Sequence, residues 1–600
     1  MQKRFNKKNY LFILCINIIL SFLFYNAHYW TSKTPVYIKC RTYVVLVFMI
    51  GIIPLIAGFF SKSETYFDKL IYKIKFYYIQ CKINKKKVIK VLFAYVLCII
   101  LAYPLSKVFI RLVNIILPQF GYNIIVWFCF IVANMVCITC WIFRKKAYDK
   151  IHILFAIVAL IEGGFFCVTV PAEVGISWDD EIHYQHVADM VNYFDGQGYN
   201  AESLLIDRYQ KVAIAHYGYK SEERVELNNE LNESFSNKEV GKHSETYSIS
   251  NIAYIPYCVG VIVGRGMDLS YTSTFILGKI FNMLFYITLC SIAIKKIASG
   301  KILLMMVALF PTTMYMAGSY SYDPWITAFS LLGFSLFFNI LHDEEKVEFD
   351  IIIKMLLCFI IGFIIKPVYF PSLFFLLFIP KNRFTSQKAH KIYIGLVFLT
   401  AFLLAFAIVA PIIFSGNGMG TGDTRGGSEV NSNEQLKFIL DDPVRYIDIL
   451  FRFFKGYLSP LNSGHYIQNY AYMSYWYQAP FMKINLLVVI LVVLLDSING
   501  RNSSMLVRST GFFGQLCTVI LIASALYISY TPVGLDTVNG CQFRYLTPLF
   551  FPFTYLLNIN NQKQLINKNV LTLIVAFFFA ATFVFWTGGN LYAGYSGFMF

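Results

Sequence analysis

Residues 151–170 read IHILFAIVALIEGGFFCVTV, and a few positions on the chain reads Ser177-Trp178-Asp179-Asp180-Glu181-Ile182-His183. The first stretch has the length and apolarity that an α-helix needs to cross about 30 Å of hydrocarbon. The second sets three consecutive carboxylates and a histidine just beyond the membrane. It opens an acidic segment, Pro171 to Ser250, that holds 15 of the chain's 34 acidic residues. A membrane enzyme would keep acid/base or metal-binding groups in such a place.

Working outward, apolar runs of spanning length recur along the whole chain. Of 600 residues, 57% are hydrophobic and only 14% charged, against about 25% charged in a soluble domain. The expectation is an all-α polytopic integral membrane protein with about 13 to 15 transmembrane helices. The net charge of +17 collects in short loops between spans. There it orients the chain in a membrane and gives no nucleic-acid signal. Thirteen cysteines are scattered. Cys137 and Cys140 have C-x-x-C spacing but fall inside a span, which predicts small core residues rather than a zinc or redox pair. The basic start, Met1 to Lys8, precedes an apolar run without a small-residue cleavage site, so a retained first span is expected.

Basic loops fix the orientation. Lys3, Arg4, Lys7 and Lys8 place the start in the cytoplasm. Spans near 10–27 and 42–60 return to a cytoplasmic loop, Ser61 to Lys90, with nine lysines that include Lys85-Lys86-Lys87. Spans near 91–113 and 123–143 return to Arg144-Lys145-Lys146. The span at 151–170 then leads outside. Further spans are expected near 271–294, 302–319, 323–341, 351–365, 367–380, 392–414, 482–496, 511–530, 544–557 and 570–588. Residues 251–264 fit either an interfacial or a re-entrant helix. Residues 1–150 read as a four-helix extension and 151–600 as the main domain. Its large outer loops, about 171–270 and 415–481, each carry an amphipathic helix.

This topology gathers unusual residues at the outer boundary. They are Asp179, Asp180, Glu181, His183 and His186; Arg265 and Lys279; Asp323; Lys366; His465; and Arg544 within Gln542-Phe543-Arg544-Tyr545. A single cation there snorkels to headgroups. Lys279, Lys366 and Arg544 together would make a pocket for a phosphate or pyrophosphate. In the acidic turn, Ser177 or Asp179 can cap a helix whose first turn holds Asp180 and Glu181. Ile182, Val187, Met190, Val191 and Phe194 then form its apolar face, and the helix is expected along the membrane surface. A capped surface helix explains that much without chemistry. The functional alternatives are a carboxylate base, a divalent-cation site (Mg or Mn) built from Asp179, Asp180 and His183, or both. Spacing does not separate them.

The second outer loop begins Gly416-Asn417-Gly418-Met419-Gly420-Thr421-Gly422. It lacks the Gly-Lys-Ser/Thr ending of a nucleotide loop, so a lid or linker is expected. Residues 433–455 read as its amphipathic helix. Tyr466, Tyr470, Tyr472, Tyr475, Trp476 and Tyr477 fit an interfacial aromatic belt or a sugar-stacking wall.

The order of motifs carries a resemblance. An acidic turn with histidine is followed by Pro256, Lys279-x-x-Asn282, Pro311, Ser319 to Asp323, Lys366-x-x-Tyr369, Asn433 to Pro443, and Asn539-Gly540-Cys541-Gln542-Phe543-Arg544-Tyr545-Leu546-Thr547-Pro548. Over roughly residues 150–590 this resembles the bacterial polytopic membrane family known as domain of unknown function 2142. That family tends to carry Pro-x-Asp-Glu-x-x-His and Gln-Gly-Arg-Tyr-x-x-Pro. Here Ser177-Trp178 replaces the proline context and Phe543 stands in place of glycine. His183 is one position nearer the acidic pair than in the family and His186 two further, so either can be the counterpart.

The family in turn resembles the GT-C glycosyltransferases. The resemblance implies a plasma-membrane enzyme of a bacterium. It would move a sugar from a polyprenyl-phosphate-linked donor to an extracytoplasmic glycan or glycolipid, with inversion. Asp180 or Asp179 would act as base or ligand a divalent ion, with Glu181 assisting. Arg544, Lys366 and Lys279 would neutralise the phosphate, and His183, His186, Asp323, Gln542 and Tyr545 would line the substrate site. Fold carries over between relatives more safely than function. The competing expectations are a flippase for lipid-linked oligosaccharide, with charges at the bilayer midplane, and a non-catalytic component of an envelope polysaccharide machine.

Overall fold

A computed structural model describes residues 85–116, 122–172, 175–195, 198–199, 222–236, 240–241, 249–342, 345–414, 422–459, 467–475, 482–496, 505–557 and 566–596. The spans expected near 10–27 and 42–60, and His465, Tyr466, Trp476 and Tyr477, lie outside these residues.

The described chain is helical, apart from a two-residue pairing of Gly198–Tyr199 with Val240–Gly241. Among the described residues, eight helices are long and apolar enough to cross a membrane. They are α1 (Lys85–Ile116), α2 (Ile124–Phe143), α3 (Ile151–Thr169), α7 (Tyr271–Lys296), α10 (Asp323–His342), α12 (Gln387–Phe414), α16 (Met505–Tyr530) and α18 (Lys568–Ser596). Each coincides with an expected span. Lys85 to Lys87 form the first turn of α1 rather than a separate loop. Cys137 and Cys140 are free thiols on α2, and Cys137 is exposed rather than core.

The other expected spans among the described residues are short or broken, and prolines account for most of the breaks. Residues 302–319 form α8 (Lys301–Ala308) and α9 (Pro311–Ala317), parted at Phe310-Pro311. Thr313 there returns its hydroxyl to the Phe310 carbonyl at 2.7 Å. After α11 (Phe349–Phe363), Pro367 and Pro371 turn the chain into a 3₁₀ segment, Pro367–Phe378. Met482–Leu495 is α15 and Thr547–Leu557 is α17.

Between the spans lie α4 (Asp180–Asp195), α5 (Glu222–Ser236) and α6 (Ile255–Gly266). The segment that fitted either an interfacial or a re-entrant helix is therefore a twelve-residue helix at its core, too short to span. It packs on α7 through Gly260 and Gly264, a small-x-x-x-small pair that lets two backbones approach. A Cβ at Gly260 would stand 2.8 Å from the Cα of Gly278. Gly260→Val is therefore expected to lower stability by about 1–3 kcal/mol through overpacking. Thermal unfolding in detergent, with the exposed Gly456→Val as control, measures it. An unchanged midpoint would show that α6 is not held against α7.

The second amphipathic element is two helices, α13 (Ser432–Asp441) and α14 (Pro443–Tyr457), divided where Asp442 caps α14 at the Arg445 N–H. Tyr470 belongs neither to a belt nor to a sugar-stacking wall. It is fully buried, stacked between Tyr315 and Trp586.

The basic loops gather at one end of the bundle. The Tyr148 ring lies near Lys301 and Lys568, Asn339 donates to the Lys296 carbonyl, and Arg383 to that of Ile340. The C-terminal ends of α3, α11 and α16 and the N-terminal ends of α10 and α17 meet at the other end. The acidic turn is there.

Candidate functional site

The acidic turn divides its carboxylates by backbone geometry. Asp179 adopts φ +56°, which is uncommon for a non-glycine residue, although aspartate tolerates it better than most. This turns its side chain away from that of Asp180. Asp180 points back into the turn, where its Oδ1 accepts the Gly175 N–H at 2.8 Å and its Oδ2 those of Ile176 and Ser177 at 3.1 and 2.9 Å. The Tyr315 hydroxyl pins the same turn at the Ile176 carbonyl, 2.6 Å away. Burial pushes the Asp180 carboxyl up to about 7, against those three N–H bonds, which favour the ionised form.

Asp179 faces two arginines. Its Oδ2 lies 3.1 Å from Arg544 Nη2 and its Oδ1 2.9 Å from Arg425 Nη1. Arg544 reaches on to Asp323 Oδ2, 3.1 Å from its Nη1. The result is a chain Arg425–Asp179–Arg544–Asp323 running from solvent into the bundle. Side-chain exposure falls along it, from 48% at Arg425 and 35% at Asp179 to 1% at Arg544. Burial opposes the Arg544 charge, but Asp323, Tyr545 and Asp179 outweigh it and hold the guanidinium above its ordinary range. Asp323 is itself fixed by Ser321, whose hydroxyl donates to its Oδ2 at 3.2 Å and accepts its N–H at 3.1 Å. Beside this pair lies a cavity with room for about one water, lined by Tyr286, Thr313, Thr327 and Thr547 as well as Asp323 and Arg544.

Lys366 precedes the helix-breaking Pro367, and its Nζ sits 3.1 Å from the centroid of the Tyr545 ring. Burial lowers its amine to about 8, with Asp323 pulling the other way. Tyr369 locks this corner by donating to the Tyr545 carbonyl at 2.7 Å. The Arg544 guanidinium lies over the Trp178 and Tyr545 rings, 5.1 and 5.4 Å away. Gln542 accepts at its carbonyl from Tyr457, and its side-chain oxygen is buried without a partner. Phe543, where the family has glycine, stacks on Tyr457 at 4.8 Å.

Glu181 keeps one buried oxygen without a partner, and burial raises its carboxyl. His183 shares a 2.7 Å hydrogen bond between Nδ1 and the Tyr254 hydroxyl and meets the Tyr322 ring edge-on. Its Nε2 is buried and unpartnered. Burial, then the charges of Arg544, His186, Lys366 and Arg425, keep the ring neutral. His186 stacks on Tyr254. Lys279, expected at the membrane boundary, lies two turns inside α7, buried above the Phe166 ring.

Asp179, Asp180 and His183 do not converge as metal ligands. Asp180 is taken up by backbone N–H groups and His183 Nδ1 by Tyr254. Among the described residues no three His, Cys, Asp or Glu side chains are grouped to hold a metal ion.

Arg425 and Asp423 are site residues that the sequence reading missed. Their loop is docked rather than free. The Asp423 N–H donates to the Ser529 carbonyl at 2.7 Å, and a Cβ at Gly426 would collide with the Tyr530 carbonyl oxygen. Arg425 Nε bonds both Asp423 oxygens at 3.0 and 3.1 Å. The available signal was an arginine in a loop assigned to the outside, against the positive-inside bias.

The family model described as "Predicted membrane protein (DUF2142)" matches residues 178–552. The chain belongs to this family. The matched segment carries Asp179, Asp323, Lys366, Arg425 and Arg544. No curated protein and no solved structure matches the chain.

Proposed function

We propose that this family member is an inverting membrane glycosyltransferase of GT-C type. It takes a sugar from a polyprenyl-phosphate carrier and passes it to a cell-envelope glycan or glycolipid on the outer side of a bacterial plasma membrane. The observation that carries the reading is the pairing of a half-exposed carboxylate with a buried arginine where several membrane helices end. A lipid phosphate would lie at that depth. Asp179 accepts the proton of the acceptor hydroxyl, whose oxygen forms a bond to the anomeric carbon. The bond from that carbon to the phosphate oxygen breaks on the opposite face. The phosphate leaves with the electron pair, toward Arg544 and Lys366. Arginine grips two phosphate oxygens at once and lysine supplies a point charge. Asp180 serves better as the organiser of the turn than as the base, since both its oxygens already accept hydrogen bonds.

The test is release of free polyprenyl phosphate by the purified full-length protein from a panel of polyprenyl-phosphate sugars, with envelope glycolipid extract as acceptor. Release that needs both donor and acceptor is expected, and none across the panel would remove the reading. Orientation is tested separately. Single cysteines replacing Lys388 and Asp536, in a background without reactive cysteines, are probed on whole cells with an impermeant thiol reagent. Labelling at 536 and none at 388 is expected. The reverse pattern would put the site in the cytoplasm.

One observation favours the flippase reading. Glu162 is fully buried within α3 with both carboxylate oxygens unpartnered, and ionisable groups inside the membrane often mark transport paths. Under the transferase reading Glu162→Gln leaves phosphate release unchanged. Under the flippase reading it abolishes movement of a fluorescent lipid-linked sugar across proteoliposomes.

A further inference from the structure

We infer that Arg425 is the second arginine of the phosphate site, occupied in this structure by Asp179, and that an incoming lipid phosphate takes both arginines from Asp179 and so frees the carboxylate. The inference rests on the proposed transferase reading and adds to it an order of events.

Both oxygens of Asp179 are held, one by Arg425 at 2.9 Å and one by Arg544 at 3.1 Å. With each oxygen engaged by a guanidinium group, neither is free to take up an acceptor hydroxyl. Something must loosen that hold before Asp179 can take a proton from a hydroxyl. A phosphate is suited to do so, because arginine prefers the paired oxygens of an oxyanion and a phosphate presents them to two arginines at once. Neither arginine is stranded by the exchange. Arg544 keeps Asp323 and Arg425 keeps Asp423. Arg544 also has a spare buried donor, since its Nε has no acceptor. Lys366 adds a further positive charge, on the ring of Tyr545 that Arg544 also overlies.

The anchoring of Arg425 makes the exchange a matter of side chains. Its backbone is fixed by the Asp423 bond to Ser529, by the fit of Gly426 against Tyr530, and by the Val533 N–H on the Glu429 carbonyl at 3.3 Å. The guanidinium itself is about half exposed. An ion pair as exposed as Arg425–Asp179 favours its closed state by about fivefold at most, so a ligand with two oxyanion contacts outcompetes it. The donor therefore enters first, and only then can Asp179 deprotonate the acceptor.

The experiment measures reaction of Asp179 with a water-soluble carbodiimide and an amine nucleophile, quantified by peptide mass spectrometry on the full-length protein in detergent. Undecaprenyl phosphate is the probe and undecaprenol, which lacks the phosphate, is the control. Saturating phosphate is expected to raise labelling of Asp179 about fivefold, the hold of the exposed pair, and the alcohol to leave it unchanged. Arg425→Ala should raise labelling to a similar degree without ligand and weaken undecaprenyl phosphate binding about tenfold, the low end for a lost charge-assisted bond. Arg425→Lys should restore part of both. A merely structural role for Arg425 would not couple ligand to the reactivity of Asp179. If undecaprenyl phosphate binds and labelling of Asp179 does not change, or if the alcohol acts as well as the phosphate, the inference is overturned and the transferase reading stands. If it does not bind the wild-type protein at all, the transferase reading falls and this inference with it.

Discussion

Asp179→Asn is expected to lower sugar transfer by about 100- to 10,000-fold, the range for losing general-base assistance, without lowering the yield of folded protein. Asparagine suits the position structurally. It tolerates the left-handed backbone at φ +56° as readily as aspartate. Its side-chain oxygen can still accept from Arg544. The charge and the basicity go, and with them the acceptor oxygen facing Arg425, which is half exposed and keeps Asp423. Asp180→Asn should do the opposite. One of its carboxylate oxygens becomes an NH₂ facing backbone N–H groups, which leaves buried donors unpaired at a cost of about 1–3 kcal/mol. Polyprenyl phosphate release and thermal unfolding in detergent, measured on both variants, separate the roles. Wild-type turnover in Asp179→Asn would exclude Asp179 as the base. A stable but inactive Asp180→Asn would return the role to Asp180.

That distinction was not legible in the chain. Asp179 and Asp180 are adjacent and chemically alike, and the reading gave both the same choice of base or metal ligand. The backbone at Asp179 separates them, and φ at one residue leaves no trace in composition or spacing. Arg425 was hidden for a related reason. Its loop is rich in glycine, which reads as freedom, yet Gly426 is there because nothing larger fits against Tyr530.

The long spans were legible, because some twenty apolar residues have few stable arrangements other than a helix buried in lipid or protein. The short ones were less so. An apolar run such as 302–319 looks the same whether it crosses once or breaks at Pro311 and packs within the bundle. Membership of the family could be read from motif order. Lys366 and Arg544 drew notice because cations at the unexpected ends of spans are rare, and these two do meet over Tyr545. Lys279 drew notice on the same grounds, but it lies above Phe166, inside the helix bundle.

Arg544→Ala is expected to be the most damaging single change to the fold of the site. The side chains of Arg544 and Asp323 are 1% and 8% exposed and 3.1 Å apart. Removing one partner of so buried a pair strands the other charge, at a cost of about 3–5 kcal/mol. The penalty belongs to the unpaired Asp323 rather than to a lost attraction, so it should be reversible from the other side. Arg544→Ala combined with Asp323→Asn should recover most of the stability. The same double variant should not recover wild-type binding of undecaprenyl phosphate, because the buried guanidinium is gone and only Arg425 and Lys366 remain to hold the phosphate. Arg544→Lys should keep the fold better than alanine does. A single ammonium does not span Asp179 and Asp323 as the two Nη atoms do, so phosphate affinity should return only in part. Unfolding midpoints and undecaprenyl phosphate affinities for wild type, the two single variants and the double variant give the answer. If Arg544→Ala unfolds with wild type, the pair with Asp323 is not what holds this end of the bundle. If the double variant regains wild-type affinity, the phosphate is held by Lys366 and Arg425 instead.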